Sequence, residues 1–256
     1  DGRSFAAGRF SCRPLSHLLR SLPPHERPAK LQLFVLSGVS PLTDIGALQG
    51  SAPVASMFQV ASQFNCLEAP GVHLVPVDRY FFDPTQGPRA YWDGPVQGRP
   101  LIGQVFTSTF AAGGYGMVDF CDPTWQMICR QLQRAAYLGT LAAAAVTGQR
   151  RLVLTLIGGG VFGNPIPLIW ESILWACDQL APRLPADLTV IVNGRELPGL
   201  DRAEVTRSVQ IRGGDLLMIG PGRSNSIQAR RMGLACCIIG PSRSLPRNNG
   251  PNALTS

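Results

Sequence analysis

The 256 residues include 45% hydrophobic against 15% charged side chains, which is enough apolar material for a substantial core and excludes a chain disordered throughout. A count of 28 Gly and 22 Pro without a collagen-like period predicts many loops between regular elements, and no apolar run reaches the roughly 18 to 20 residues of a membrane-spanning helix. The formal charge of +7 suits a polyanionic partner such as a nucleotide or nucleic acid, and equally a basic surface with no ligand.

Asp1 stands where a Met would, so a processed protein or an excised piece is expected, and the basic start interrupted by Pro14, Pro23, Pro24 and Pro28 does not resemble a secretion signal. Residues 1–30 read as a peripheral arm in which only Leu15 to Leu22 has the composition of a short helix. From Lys30 the string KLQLFVLSG alternates as a strand and stops at Gly38 and Pro41. VASMFQVASQFNC at 54–66 predicts a buried strand around Met57 to Ala61 that opens into a polar turn holding Ser62, Gln63 and Asn65, with a short helix around Asn65 to Glu68. Between Gly71 and Gly116 no regular element is evident. That stretch carries Asp78, Asp83 and Asp93 among Tyr80, Phe81, Phe82, Tyr91 and Trp92, the composition of a functional loop, and Gly113 and Gly114 mark a tight turn.

Asp122 is placed to cap a helix over Pro123 to Thr147, with Pro123 in its first turn and a broad apolar side suited to packing on a sheet. Arg151 to Ile157, RLVLTLI, then reads as a central strand covered on both faces. GGGVFGN follows at 158–164, a helix follows over Pro165 to Leu180, and LTVIV at Leu188 to Val192 makes the next strand. Strand, helix, strand in this order implies a parallel portion of sheet, whose ligands collect at the carboxyl ends of the strands. A last helix over Asp201 to Gln210 and an edge strand over Leu216 to Ile219 complete a domain spanning 31–220. Residues 221–256 are basic and mostly irregular, with five arginines and no acid after Asp215. No aromatics interleave with those arginines, so a groove for single-stranded nucleic acid is not expected.

Seven scattered cysteines, two of them adjacent at Cys236 and Cys237, point to reduced thiols in a cytosol-like compartment. The three histidines have no partner at metal-ligand spacing, and Cys66 and Cys121 have no histidine beside them, so neither a metal centre nor a cysteine nucleophile is signalled. The site candidate is the turn Gly158 to Asn164. Gly158, Gly159 and Gly160 let the backbone approach a ligand closely, and the helix starting near Pro165 turns unpaired N–H groups and a positive dipole end toward an anion. A plain turn is the alternative, since the string is neither a P-loop nor a dinucleotide fingerprint. Phe162 suits either a cover for a ribose or base or a plug for the core. Asp83 and Asp93, ten residues apart, could orient ribose hydroxyls and activate water at an anomeric carbon, or serve only solubility and turn formation.

FQVASQFN at 58–65, DPTQGP at 83–88 and IGGGVFGNP at 157–165 together resemble the macrodomain family, and within it a divergent branch of effector hydrolases acting on ADP-ribosylated ubiquitin. The resemblance spans roughly residues 50 to 200. It implies a three-layer α/β/α fold with a mixed, partly parallel sheet, and binding of ADP-ribose as ligand or product without a required cofactor. It also implies removal of mono-ADP-ribose from a modified protein, with ubiquitin among the candidates, by a monomer in the cytoplasm or a host cytosol. On this resemblance Gln63 and Asn65 would lie near the ribose that bears the leaving group. Gly159, Gly160, Val161, Phe162 and Gly163, flanked by Gly158 and Asn164, would wrap the diphosphate and distal ribose, and Asp83 and Asp93 would be the acids beside the scissile bond. The NAAN string of common macrodomains is absent, as is the GGG and acidic signature of poly(ADP-ribose) glycohydrolases, so chain-degrading activity is not expected.

Overall fold

The computed structural model describes residues 9–38, 45–50, 52–61, 101–113, 119–160, 162–194 and 197–218. Six strands form one sheet: β1 (Leu31–Ser37), β2 (Ser56–Ala61), β3 (Gly103–Thr107), β4 (Arg151–Thr155), β5 (Leu188–Gly194) and β6 (Leu216–Met218), in the order β3-β2-β4-β5-β1-β6. Every described pairing is parallel, which corrects the expectation of a mixed sheet. The described strands that follow one another directly across helices, β4 to β5 and β5 to β6, show why: each crossover returns the chain to the same end of the sheet before the next strand begins. β3 was not anticipated. It lies at the sheet edge and leaves Phe106 half exposed, so the string GQVFT lacks the continuous apolar character that marks β4.

The helices are α1 (Leu15–Arg20), α2 (Ile45–Gly50), α3 (Pro123–Val146), α4 (Ile166–Leu180) and α5 (Arg202–Ile211), with a short 3₁₀ turn at Ala181–Arg183. Strand side chains alternate between the two faces of the sheet. Leu33, Val35, Met57, Leu152, Leu154, Val190 and Val192 point into one buried cluster with Leu18 and Leu22, Tyr137 and Leu141 of α3, Ile169 and Ile173 of α4, and Val205 and Val209 of α5. Leu36, Phe58, Val153, Ile191 and Leu217 point the other way, against Leu48 of α2. Helices therefore lie on both sides of an α/β sheet, most of them on one side. Each fully buried Leu or Ile contributes on the order of 1.5–3 kcal/mol.

α3 starts where the sequence predicts, with Asp122 accepting from Thr124 N at 2.7 Å and Pro123 in the first turn. A Cβ on Gly139 would stand 4.0 Å from Leu15 Cδ1, an ordinary van der Waals distance, so the contact of α1 with α3 would accept an alanine there. Glu171 of α4 takes both Arg130 (3.2 Å) and Arg134 (2.7 Å) of α3, and the Arg134 guanidinium lies 4.9 Å from the centre of the Trp175 ring. Such half-exposed ion pairs are worth at most ~1 kcal/mol each, so the apolar layer and not these pairs holds α3 to α4.

Candidate functional site

From β2 the chain moves outward to β3 on one side, and from β4 it moves to β5 on the other, so the boundary between β2 and β4 is the point where strand order reverses. In parallel sheets a crevice opens at the carboxyl ends of such a pair. Its depth is visible in the ladders. β2 pairs with β4 only from Ser56↔Arg151 to Phe58↔Val153, whereas β2 stays paired with β3 to Ala61↔Thr107, and β4 with β5 to Thr155↔Asn193.

The side chain of Gln59 fills the gap. Fully buried, it accepts from Thr155 N through Oε1 at 3.2 Å and donates through Nε2 to Thr107 Oγ1 (3.2 Å) and Thr140 Oγ1 (3.3 Å). Beyond Thr155 the backbone of β4 is held by α3 instead of by a strand. Tyr137 OH donates to Thr155 O at 2.8 Å and accepts from Ile157 N at 3.0 Å, while Gln133 Nε2 donates to Ile157 O at 2.9 Å. Residues 133 and 137 are one turn apart on the same face of α3, which is why they reach the carbonyls of Ile157 and Thr155, two residues apart in the chain. Burial pushes the Tyr137 phenol well above its ordinary range, against the smaller opposing effect of the Ile157 N–H, so it remains a neutral donor.

The glycine turn leaves β4 at this place. Gly158 has φ +77° and Gly163 φ +63°, both in the left-handed region that favours glycine. Asn164 N donates to Gly158 O (2.9 Å), Gly163 N to Gly160 O (2.9 Å) and Gly159 N to Leu156 O (3.0 Å), closing the turn on itself. A second segment is joined to it: Ala112 N and Gly113 N both donate to Phe162 O at 2.8 Å, and Asn164 Nδ2 donates to Phe110 O at 2.7 Å. The stretch that follows β3 thus forms one wall of the turn. A Cβ on Gly159 would approach Ile166 Cδ1 to 2.7 Å, so this glycine allows α4 to begin directly against the loop, whereas a Cβ on Gly160 would meet nothing within 4 Å. α4 starts at Pro165 with no capping side chain and no acid in its first turn, so its positive end is uncompensated among the described residues.

Gly158, Gly159, Gly160, Phe162, Gly163 and Asn164 are therefore gathered at the carboxyl end of β4. Phe162 is half-buried and belongs to none of the buried apolar clusters; Asn164 is buried, with its Nδ2 committed to carbonyls of the loop and its wall. Val161, Gln63, Asn65, Asp83 and Asp93 lie outside the described residues. Sequence reasoning missed Gln59, Thr109, Gln133 and Tyr137. A legible signal existed for two of them, because Gln133 and Tyr137 stand four residues apart, one helical turn, in α3. Among the described residues no three His, Cys, Asp or Glu side chains gather as a metal site would need, and no helix is long and apolar enough to cross a membrane.

No protein-family model matches the chain, and no curated protein matches it. Among solved structures it is similar to a poly(ADP-ribose) glycohydrolase from Thermomonospora curvata, with 18% identity, a TM-score of 0.43, and coverage of 77% of this chain and 82% of that one. A second similarity is to an alphavirus P23pro-zbd, with 12% identity, a TM-score of 0.34, and coverage of 78% of this chain and 27% of the other.

Proposed function

We propose that this chain is a macrodomain-like, three-layer ADP-ribose-binding hydrolase that removes mono-ADP-ribose from a modified protein side chain. The observation that carries the reading is the position of the Gly158–Asn164 turn, at the carboxyl end of β4, beside the β2–β4 crevice and in front of an uncapped helix. Backbone N–H groups and a helix dipole suit a diphosphate there, and Gly160 leaves open space above the turn. The motifs at 58–65 and 83–88 supply the remainder of the resemblance: Gln63 and Asn65 at the proximal ribose, and Asp83 and Asp93 at the scissile bond.

In the proposed reaction one carboxylate takes a proton from water as the water oxygen bonds to the anomeric carbon. The bond from that carbon to the protein side chain breaks, and the side-chain atom leaves with a proton. No cofactor is invoked. The working domain is taken as 31–220, with the segment 1–30 packed on it through Leu18 and Leu22 and a basic segment following at 221–256. The partner is a mono-ADP-ribosylated protein, with ubiquitin among the candidates, met by a monomer in a cytosolic setting.

Calorimetric titration of ADP-ribose into wild-type protein and a Gly160→Glu variant tests the binding half. The wild type should bind and the variant should not, because a carboxylate would then stand where the diphosphate goes. Release of ADP-ribose from a mono-ADP-ribosylated protein tests the other half: Asp83→Ala should keep binding and lose turnover. One observation favours a second reading, a binder that does not cleave, since Thr109, Gln133, Thr155 and Asn164 around the turn are all neutral. Binding without turnover in the wild type would select it, and no binding of ADP-ribose would overturn both.

A further inference from the structure

The amino end of the sheet gathers three stretches of chain, residues 20–30, 147–151 and 181–189, and hydrogen bonds hold them side by side. His25 N donates to Pro182 O at 2.9 Å, Ala29 N to Leu184 O at 3.0 Å and Lys30 N to Asp187 Oδ1 at 2.8 Å. Leu188 N donates to Lys30 O at 2.9 Å and Thr189 N to Arg150 O at 3.0 Å, so Lys30 and Arg150 flank the start of β5 on its two sides. With neighbouring strands about 4.8 Å apart, their backbones are about 10 Å from each other. Arg183 Nη1 reaches Leu22 O at 2.9 Å, which brings the end of α1, with Arg20, to the same surface.

These stretches carry six cations, Arg20, Arg27, Lys30, Arg150, Arg151 and Arg183, against two carboxylates, Glu26 and Asp187. Elsewhere among the described residues seven basic side chains stand against seven acidic ones, so the positive excess of the described fold sits at this one end. Arg20, Arg27, Lys30 and Arg150 are exposed, and among the described residues no carboxylate pairs with any of the six. Five of the six are arginines, whose flat fork matches phosphate oxygens two at a time. Pro23, Pro24, Pro28, Pro182 and Pro185 fix the backbone around them, so little chain freedom is lost on contact. The three stretches contain no Phe, Tyr or Trp to stack on an unpaired base.

We propose that the amino end of the sheet is a docking surface for a nucleic-acid duplex, held through its phosphates without reading the base sequence. A duplex carries one charge per about 1.7 Å of its axis and keeps its bases stacked inside, which suits clustered arginines with no aromatic among them. An acidic polypeptide is a more flexible polyanion and gains less from cations held in fixed places. The surface lies at the opposite end of the sheet from the Gly158–Asn164 turn, so the inference does not rest on ADP-ribose binding.

Fluorescence anisotropy of the full chain with labelled DNA and RNA duplexes of about 20 base pairs tests the proposal and distinguishes the two sources. Micromolar binding of either at about 50 mM salt is expected, weakening with salt at a log–log slope of about 5 as counterions are released. Arg27→Ser/Arg150→Ser should weaken that binding at least about tenfold and lower the slope by about 2. Arg202→Ser/Arg207→Ser on α5 removes the same charge from another exposed place and should stay within about twofold of wild type. Equal losses in the two variants would make the binding a matter of net charge and overturn the proposal, as would no binding of either duplex. Polyglutamate competing as well as unlabelled duplex at equal charge would assign the surface to acidic polypeptides and overturn it too.

Discussion

Adding a single methyl group distinguishes the glycines of the turn. At Gly158 it would meet φ +77°, the methyl of Thr109 and the amide of Asn164, so Gly158→Ala should destabilise by about 2–4 kcal/mol in chemical denaturation. At Gly160 the methyl meets open space, and Gly160→Ala should stay within about 0.5 kcal/mol of wild type. Similar losses at both positions would refute the geometry of the turn. Thiol chemistry gives a second residue-scale prediction. Cys177 is buried and its pKa is pushed from 9.0 up to about 12, chiefly by burial, with Arg212 lowering it and Asp178 raising it. A raised folded pKa gives stability that is complete below pH 9 and is lost as pH rises from there toward 12. The denaturation midpoint should therefore fall with alkali above pH 9, and less so in Cys177→Ala measured against its own neutral-pH value. At neutral pH a thiol reagent followed by mass spectrometry should label Cys12 and Cys121 well before Cys177 and Cys129.

The end of β4 depends on side chains that stand in for a missing strand, so removing them should cost more than ordinary buried substitutions of similar size. Tyr137→Phe leaves Thr155 O and Ile157 N without their shared hydroxyl, an expected loss of about 2–3 kcal/mol. Gln59→Leu removes the acceptor of Thr155 N and the donor to the Thr107 and Thr140 hydroxyls, of which Thr140 keeps its bond to Ala136 O, and should cost about 2–4 kcal/mol by the same measurement. A loss below about 0.5 kcal/mol in either would mean that water or another group replaces them freely. The sequence shows why α3, β4, α4, β5 and α5 were legible within a residue or two: Asp122 and Asp201 cap helices, and apolar runs with one period mark the strands. It concealed what acts between elements. Gln59 sits inside an apolar strand string, and nothing local reveals that its amide replaces a ladder. Thr109 lies in a segment without pattern, and its methyl packs where a side chain would stand on a glycine 49 positions later. The turn itself was legible, since left-handed φ at Gly158 and Gly163 is a local demand. The strictly parallel sheet was only partly so, because a single strand, helix, strand unit says nothing about the direction of the outer strands.

At the scale of the whole molecule, β4 and β5 lie at the middle of the sheet under helices, while β3 and β6 are its edges. Hydrogen exchange followed by mass spectrometry should find Leu152 to Leu154 and Val190 to Val192 among the slowest amides, and Gly103 to Thr107 exchanging at least about tenfold faster. Protection of the edge equal to that of the centre would contradict this order. A sheet with all strands parallel also has two unlike ends. The turn and the crevice occupy the carboxyl end, and the amino end begins with Lys30 before β1 and Arg151 at β4. Lys30 is exposed and is the only lysine in the sequence. Once the α-amine is blocked, amine-reactive coupling is thereby directed to the far side of the sheet, and a protein immobilised through that lysine would face the surrounding solution with its crevice.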